Sequence, residues 1–299
     1  MIYSLMRESR VVIVYDGRAY GFDALSNYNV ETSFQEYKTL RRTIHNRANY
    51  AHSKITAQAP TSISLAINFA NGQVESNFFD LLGFKRHKDQ SLTLPKFSQN
   101  IEPEMFEMYI ISQGITMHFD YCYAATVDFI LENSIPVLNV GIESGKFEEV
   151  LSYRNSYTID QGQVLPFSPV LVSSNGKTFP GVVSASMSFQ QQCSWREDRN
   201  LFNIGKIYNN SRAVVNEMNA SALISMYYTK NIRDDAFLNL EPVSGMNINI
   251  YNQHISVDFP QTRITKRLNM TDVYRVEYDI IPVETSDPVT INFLGENDR

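Results

Sequence analysis

The sequence predicts a mainly β protein built from two tandem modules, and three observations lead there. Phe and Tyr are abundant, 18 and 17 residues against a single Trp, and these side chains suit strands. Apolar and polar residues alternate over short segments bounded by Gly, Asn, Asp and Pro, the pattern of half-buried strands. The same motifs also recur in the same order in both halves of the chain, a signal that decides architecture before any single element does.

The first recurring motif is a hairpin. VVIVYDGRAYGF sets Asp16-Gly17 between two apolar-aromatic runs, and VLVSSNGKTFPG sets Asn175-Gly176 the same way. Both dipeptides tolerate positive φ and favour two-residue turns; their separation is 175 − 16 = 159. The second is Ser-Phe-Gln at Ser33 and again at Ser188, a separation of 155. Each copy opens a polar, arginine-bearing stretch. The third is an alternating strand. TSISLAINFA puts Ile63, Leu65, Ile67 and Phe69 on one face, and ASALISMYYT puts Ala222, Ile224, Met226 and Tyr228 on one face, again 159 residues on. The fourth pairs GITMHFDY with HISVDFPQ, each followed by a further apolar strand, PVLNVGI and DVYRVEYDIIPV.

Separations that drift by four residues fit a duplication with altered loop lengths. The modules are expected at residues 1–162 and 163–299, meeting near YTIDQGQVLPFSP. Each should be a β-sandwich or barrel-like unit with a flanking helix and a long extended loop. In the first module ESNFFDLLGF predicts the helix, with Ser76 as cap ahead of Phe78, Leu81 and Leu82, and Gly83 as stop. EPEMFEMYIIS is a second helix candidate. The long polar loops are residues 36–60 and 191–219; loops of this length without a core of their own tend to be functional.

Composition narrows the function. A chain of 299 residues suits two domains. A net charge of −6 argues against a nucleic-acid binder held by phosphate contacts. Cys122 and Cys193, far apart, read as free thiols, with no disulfide framework and no paired-cysteine zinc site. Arg7, Glu8 and Arg10 break the apolar runs at the start, unlike a signal peptide. No apolar run reaches the roughly 18 residues of a membrane helix. The expected product is soluble, made in a cytoplasm, and not inserted in a membrane by this chain.

Candidate chemistry is thin. SSNGKT ends like a phosphate-binding loop, but the required upstream glycine is Leu171. His45, His52, His87, His118 and His254 make no metal-binding helix pair. His118 and Asp120 share a strand face and read as polar surface residues. No nucleophile-base ordering or carboxylate pair stands out, so no catalytic residue, metal or cofactor is expected, and no enzyme.

The opening SLMRESRVVIVYDG, the strand TSISLAINFA after its polar loop, its counterpart ASALISMYYT and the closing ISVDFPQTRITKRLNMTDVYRVEYDIIPV together resemble the tail-tube fold of long-tailed bacteriophages. The tandem arrangement resembles the tube proteins of T-five-type siphophages, over nearly the whole chain. The main tube protein of that type carries an extra C-terminal domain, whereas this sequence ends soon after the second module at VTINFLGENDR; the resemblance is therefore closer to the baseplate tube component. It implies a structural protein of the virion tail, at or near the distal tip. Three copies of two modules would form a homotrimeric, pseudo-hexameric ring whose strands close into an inner β-barrel. DNA or tape measure protein would pass through without specific binding. Partners would be neighbouring tail tube, distal tail and baseplate hub proteins.

In that setting the long loops become candidate contacts between stacked rings. The first carries Lys38, Arg41, Arg42, Arg47 and Lys54, suited to an acidic partner surface. The second carries Arg196, Arg199, Lys206 and Arg212, tempered by Glu197 and Asp198. Leu40 and Trp195 are apolar anchor candidates, Trp being favoured at contact centres; a core role suits Trp195 equally. Two other readings stay open: a receptor- or carbohydrate-binding β protein of the tail, with an aromatic-rich groove, and a β-scaffold hydrolase with convergent carboxylates.

Overall fold

The computed structural model describes residues 9–22, 25–43, 46–70, 74–94, 102–112, 114–132, 134–153, 156–160, 163–196, 210–228, 243–270, 273–283 and 287–294. The chain begins with a hairpin of β1 (Arg10–Tyr15) and β2 (Arg18–Phe22), with Tyr15 opposite Arg18. Asp16 and Gly17 have φ of 47° and 71°, the doubly positive pair that the predicted two-residue turn requires. Next come β3 (Leu25–Glu31), β4 (Phe34–Thr43), β5 (Asn46–Gln58) and β6 (Thr61–Asn68). The predicted alternation of β6 is present, with Ile63, Leu65 and Ile67 buried.

The first polar stretch is a long hairpin. Among the described residues β4 and β5 pair only with each other, while β3 and β6 on either side pair within the main sheet. The arm therefore leaves the sheet as a two-stranded extension of ten and thirteen residues.

A short helix follows, α1 (Asn77–Leu81), burying Phe78, Phe79 and Leu81. It ends at Gly83, φ 89°, as the sequence predicts. Ser76 makes no capping hydrogen bond. A 3₁₀ turn, Val74–Ser76, already precedes the helix, so Ser76 is itself helical and its hydroxyl instead accepts from Arg86 Nη2 at 3.2 Å. After β7 (Lys85–Arg86) and β8 (Leu92–Thr93) comes the second predicted helix, which is instead a strand, β9 (Phe106–Ser112). Its period is two: Phe106, Met108 and Ile110 are buried. The first half closes with β10 (Ile115–Leu131), β11 (Val137–Val150) and β12 (Thr158–Asp160).

The second half repeats the opening. β13 (Leu171–Ser174) and β14 (Lys177–Thr178) flank Asn175 and Gly176, with φ of 49° and 79°. Then follow β15 (Val182–Trp195), β16 (Ala213–Tyr227), β17 (Val243–Tyr251), β18 (Ile255–Met270), β19 (Tyr274–Pro282) and β20 (Thr290–Phe293). The helix expected in this half is not among the described residues.

Pairing gives the order β2-β1-β9-β10-β11-β6-β3 in the first half and β14-β13-β17-β18-β19-β16-β15 in the second. Position for position, the two orders correspond. β10 also pairs with β15 and joins the halves, while β20 bridges β18 and β8, and β12 runs parallel to β2. No series of these pairings returns to its starting strand. Among the described residues the chain is thus one branched, open sheet; the expected barrel is not closed within a single copy. One core serves both halves: the ring of Phe79 meets Phe84, Phe129, Phe189 and Phe293 at centroid distances of 5.5 to 6.2 Å.

Candidate assembly surfaces

Eight strands run side by side through both halves: β3-β6-β11-β10-β15-β16-β19-β18. One face buries Ile63, Leu65, Val140, Val127, Phe129, Phe189, Ile224, Tyr278 and Ile264. The other is mainly polar in its central rows, with Ile130, Leu223 and Ile281 as exposed apolar members. One row across it reads Asn29, Ser64, Gly141, Thr126, Gln190, Asn219. The next reads Asn27, Ala66, Asn139, Asp128, Ser188, Ser221. Further along, Glu277 and Asp279 stand opposite Arg267 and Thr265. Asp128 is the strained member. Burial pushes its carboxyl above the usual range, against a hydrogen bond from Ser188, and its Oδ1 has no partner.

Among the described residues the two ends of this eight-stranded run are open. On β10, residues 115–122 carry β9 and residues 126–131 carry β15. On β18, residues 256–264 carry β17, and beyond them residues 265–270 have β19 on one side and no described strand on the other. At the far end β3 has β6 on one side and no described strand on the other. The arm rises next to that end, with Phe34 and Ile55 exposed.

A profile described as the Bacteriophage Baseplate Tube Protein Family matches residues 1–298. The chain belongs to this family. It is also 61% identical, over 297 residues and 99% of both chains, to baseplate tube protein p140 of Escherichia phage T5. The resemblance carried by the strand and loop pattern therefore holds, on the baseplate side. As a family member the chain is a structural, β-rich protein of the phage virion, located in the tail baseplate.

Within this baseplate tube chain the sequence-predicted contact residues separate into two groups. Lys38, Leu40, Arg41 and Lys54 lie along the arm, opposite Ser53, Ala51, Tyr50 and Tyr37; Arg42 and Arg47 belong to the same two strands. The side chains of these six lie outside the described residues. In the second group, Arg199 and Lys206 lie outside the described residues altogether. Trp195, at the end of β15, is half-buried against the first half of the chain. Its Nε1 donates to Glu143 Oε2 at 2.9 Å, and Tyr123 Oη donates to the same oxygen at 2.6 Å. Burial, then this carboxylate, pushes the Tyr123 phenol up. Arg212 holds Glu102 at 2.6 Å, and its carbonyl accepts from the Arg196 N–H at 2.9 Å.

His118 and Asp120, expected as polar surface residues, are only partly exposed. Asp120 accepts from the Tyr121 N–H at 2.8 Å. His118 Nδ1 is 3.0 Å from Glu148 Oε1, and the ring stacks on Tyr109 at 4.4 Å. Lys146 Nζ reaches Glu148 Oε2 at 2.9 Å. These partners sit on adjacent strands, His118 opposite both Glu148 and Tyr109, so no local motif could announce them. Burial pushes the thiol of Cys193 up to about 12 and that of Cys122 higher still; both are free. Among the described residues no helix is long and apolar enough to cross a membrane, and no cluster of His, Cys, Asp or Glu is arranged to hold a metal ion.

Proposed function

We propose that three copies of this chain, each with modules at 1–162 and 163–299, close into a pseudo-hexameric ring of the baseplate tube that conducts DNA. The observation that carries this reading is the eight-stranded sheet, which runs through both halves in one repeated strand order and has a polar face. Three copies supply 8 × 3 = 24 strands. With strands about 4.8 Å apart and tilted about 40°, such a barrel measures roughly 45–50 Å between opposite backbones. Barrels of roughly 16–18 strands already leave an aqueous channel. The polar face becomes the lumen wall. Ser, Asn, Thr and Gln dominate its central rows, and arginines alternate with acids at its edge, so it offers little of the clustered positive charge that would hold DNA or a tape measure protein in passage.

The arms then reach neighbouring tail tube, distal tail or baseplate hub proteins. Lys38, Leu40, Arg41, Arg42, Arg47 and Lys54 make that contact from the first module. Trp195, Arg196, Arg199, Lys206 and Arg212 brace or join it from the second. Because β4 and β5 pair only with each other, the arm is separable from the fold. Deleting residues 41–53 should leave circular dichroism and unfolding unchanged while abolishing stacking between rings in electron micrographs of tails. Stacking that survives the deletion overturns the role of the arm; tails whose baseplate tube lacks a three-copy ring of this chain overturn the ring.

A further inference from the structure

Resting on the ring reading, we infer that the ring closes through one strand seam, in which residues 265–270 of β18 in one copy pair antiparallel with residues 28–33 at β3 of the next, Arg267 opposite Glu31. The template is the joint inside the chain. There β10 meets β15 with Thr126 opposite Gln190, Asp128 opposite Ser188, Phe129 opposite Met187 and Leu131 opposite Ala185.

The repeated strand order maps this joint onto the open ends. Leu65 of β6 corresponds to Ile224 of β16, by the alternating motifs 159 residues apart. Leu65 lies opposite Val140, which lies opposite Val127. Ile224 lies opposite Tyr278, which lies opposite Lys266. Val127 therefore corresponds to Lys266, and residues 126–131 to residues 265–270. On the other flank, Leu65 lies opposite Tyr28 and Ile224 opposite Ala185, so residues 185–190 correspond to residues 28–33. Transferring the pairing puts Thr265 opposite Ser33, Arg267 opposite Glu31, Leu268 opposite Val30, Asn269 opposite Asn29 and Met270 opposite Tyr28.

Three features of the side chains fit this register. Phe129 and Leu131, inside the joint, are 0% and 1% exposed, whereas their counterparts Leu268 and Met270 are 42% and 69% exposed. Phe34, which follows Ser33 directly, is itself 50% exposed. An unpaired, apolar strand edge is a liability that a closed ring removes. Finally, Arg267 already faces Glu277 across β19, and the seam places Glu31 on its other side, so the cation sits between two carboxylates. Sliding the register by two residues, as the Ser-Phe-Gln repeat alone would have it, keeps the faces but sets Arg267 opposite Ser33 and breaks this match.

Paired cysteines test the register in assembled virions carrying the variant chain. Directly opposite residues have Cα atoms about 4.5–5.5 Å apart, within disulfide reach of about 4.4–6.8 Å. Asn29→Cys with Asn269→Cys should give disulfide-linked multimers of up to three copies on non-reducing gels. Glu31→Cys with Asn269→Cys, the slipped register, should give about tenfold less, being off by two residues. The opposite ranking overturns the register. Absence of linkage from both pairs in tails that show rings overturns the seam and leaves the ring. Tails without rings of this chain overturn the ring itself and the seam with it. Where cysteine variants fail to assemble, a charge exchange decides. Arg267→Glu combined with Glu277→Arg, which keeps opposite charges within the chain, and Glu31→Arg should each cut tail yield about tenfold, by placing like charges together at the seam, and all three exchanges together should restore most of it. Separate exchanges that hurt and a combined one that does not recover overturn the Arg267–Glu31 pairing.

Discussion

The two halves of the chain share a strand order and end differently. In the first, β10 is covered along its length, by β9 and then by β15 of the second half. In the second, β18 is covered by β17 and then runs on with one side open among the described residues. The internal joint sets Asp128 against a neutral serine, Ser188. Under the proposed seam, the outer joint sets Arg267 against Glu31. The backbone geometry is the same, so the side chains must distinguish the two. An internal joint forms between segments of one chain, at high effective concentration, and needs little else to find its mate. An outer joint must select one strand edge among many similar ones, and opposite charges across the pair serve that selection better than they serve affinity.

The largest expected effect separates the halves directly. Phe129 is fully buried among Phe69, Phe79 and Phe189, so Phe129→Ala should destabilise the isolated chain by about 3–5 kcal/mol. Leu268 occupies the corresponding place on the open edge. Leu268→Ala should cost less than about 1 kcal/mol in the same denaturant titration, with its damage appearing only in assembled tails. Equal losses in the unassembled chain would mean that the two edges are buried alike, and the comparison would collapse.

How much of this was legible in the sequence depends on the range over which each signal acts. Turns are local, so Asp16-Gly17 and Asn175-Gly176 announced their hairpins. Alternation is local too, and it identified β6 and β16. The second helix candidate failed because acidic residues and Met suit a helix by composition, while Phe106, Met108 and Ile110 follow a period of two that burial on a sheet rewards. Ser76 failed as a cap because a 3₁₀ turn precedes it. The Ser-Phe-Gln repeat points at the right strands but is two residues out of step with the pairing, since a slip of two preserves which face each side chain takes. What no sequence scan could reach was contact across strands: the Glu143 oxygen shared by Tyr123 and Trp195, or the stack of His118 on Tyr109. The open edge did leave a trace. Leu268 and Met270 continue the apolar alternation of β18 beyond Ile264, the last residue that the described part of β17 covers.

Titration tests the joints more gently. Asp128 sits within the internal joint with its carboxyl pushed up by burial. A folded-state value above the unfolded one means that the folded protein holds its proton longer. Stability is therefore lost as pH rises from the ordinary aspartate range, near 4, through the raised value. Asp128→Asn removes the charge that burial penalises. It should stabilise the chain at neutral pH by up to about 1 kcal/mol, since the group is partly solvated, and the gain should vanish in acid. A loss at neutral pH would mean that the hydrogen bond with Ser188 outweighs the desolvation.

The smallest effect belongs to Glu148, whose carboxyl is held below the ordinary glutamate range by hydrogen bonds from Lys146, first, and His118. Here the sign is reversed. The contribution is fully present above the unfolded glutamate value, near 4.3, and is lost as pH falls through the depressed folded value. Because the carboxylate is 43% exposed, Glu148→Gln should cost only about 0.5 kcal/mol at neutral pH. That difference should close as the wild-type carboxylate takes up its proton. The two substitutions thus move the acid limb of the stability curve in opposite directions: Asp128→Asn lifts the neutral plateau relative to acid, and Glu148→Gln lowers it. A joint that must stay closed within one chain tolerates a half-buried acid at a cost, whereas the contact of Lys146 with Glu148, far from either joint, brings opposite charges together. Parallel shifts of the two variants across the pH range would contradict that division.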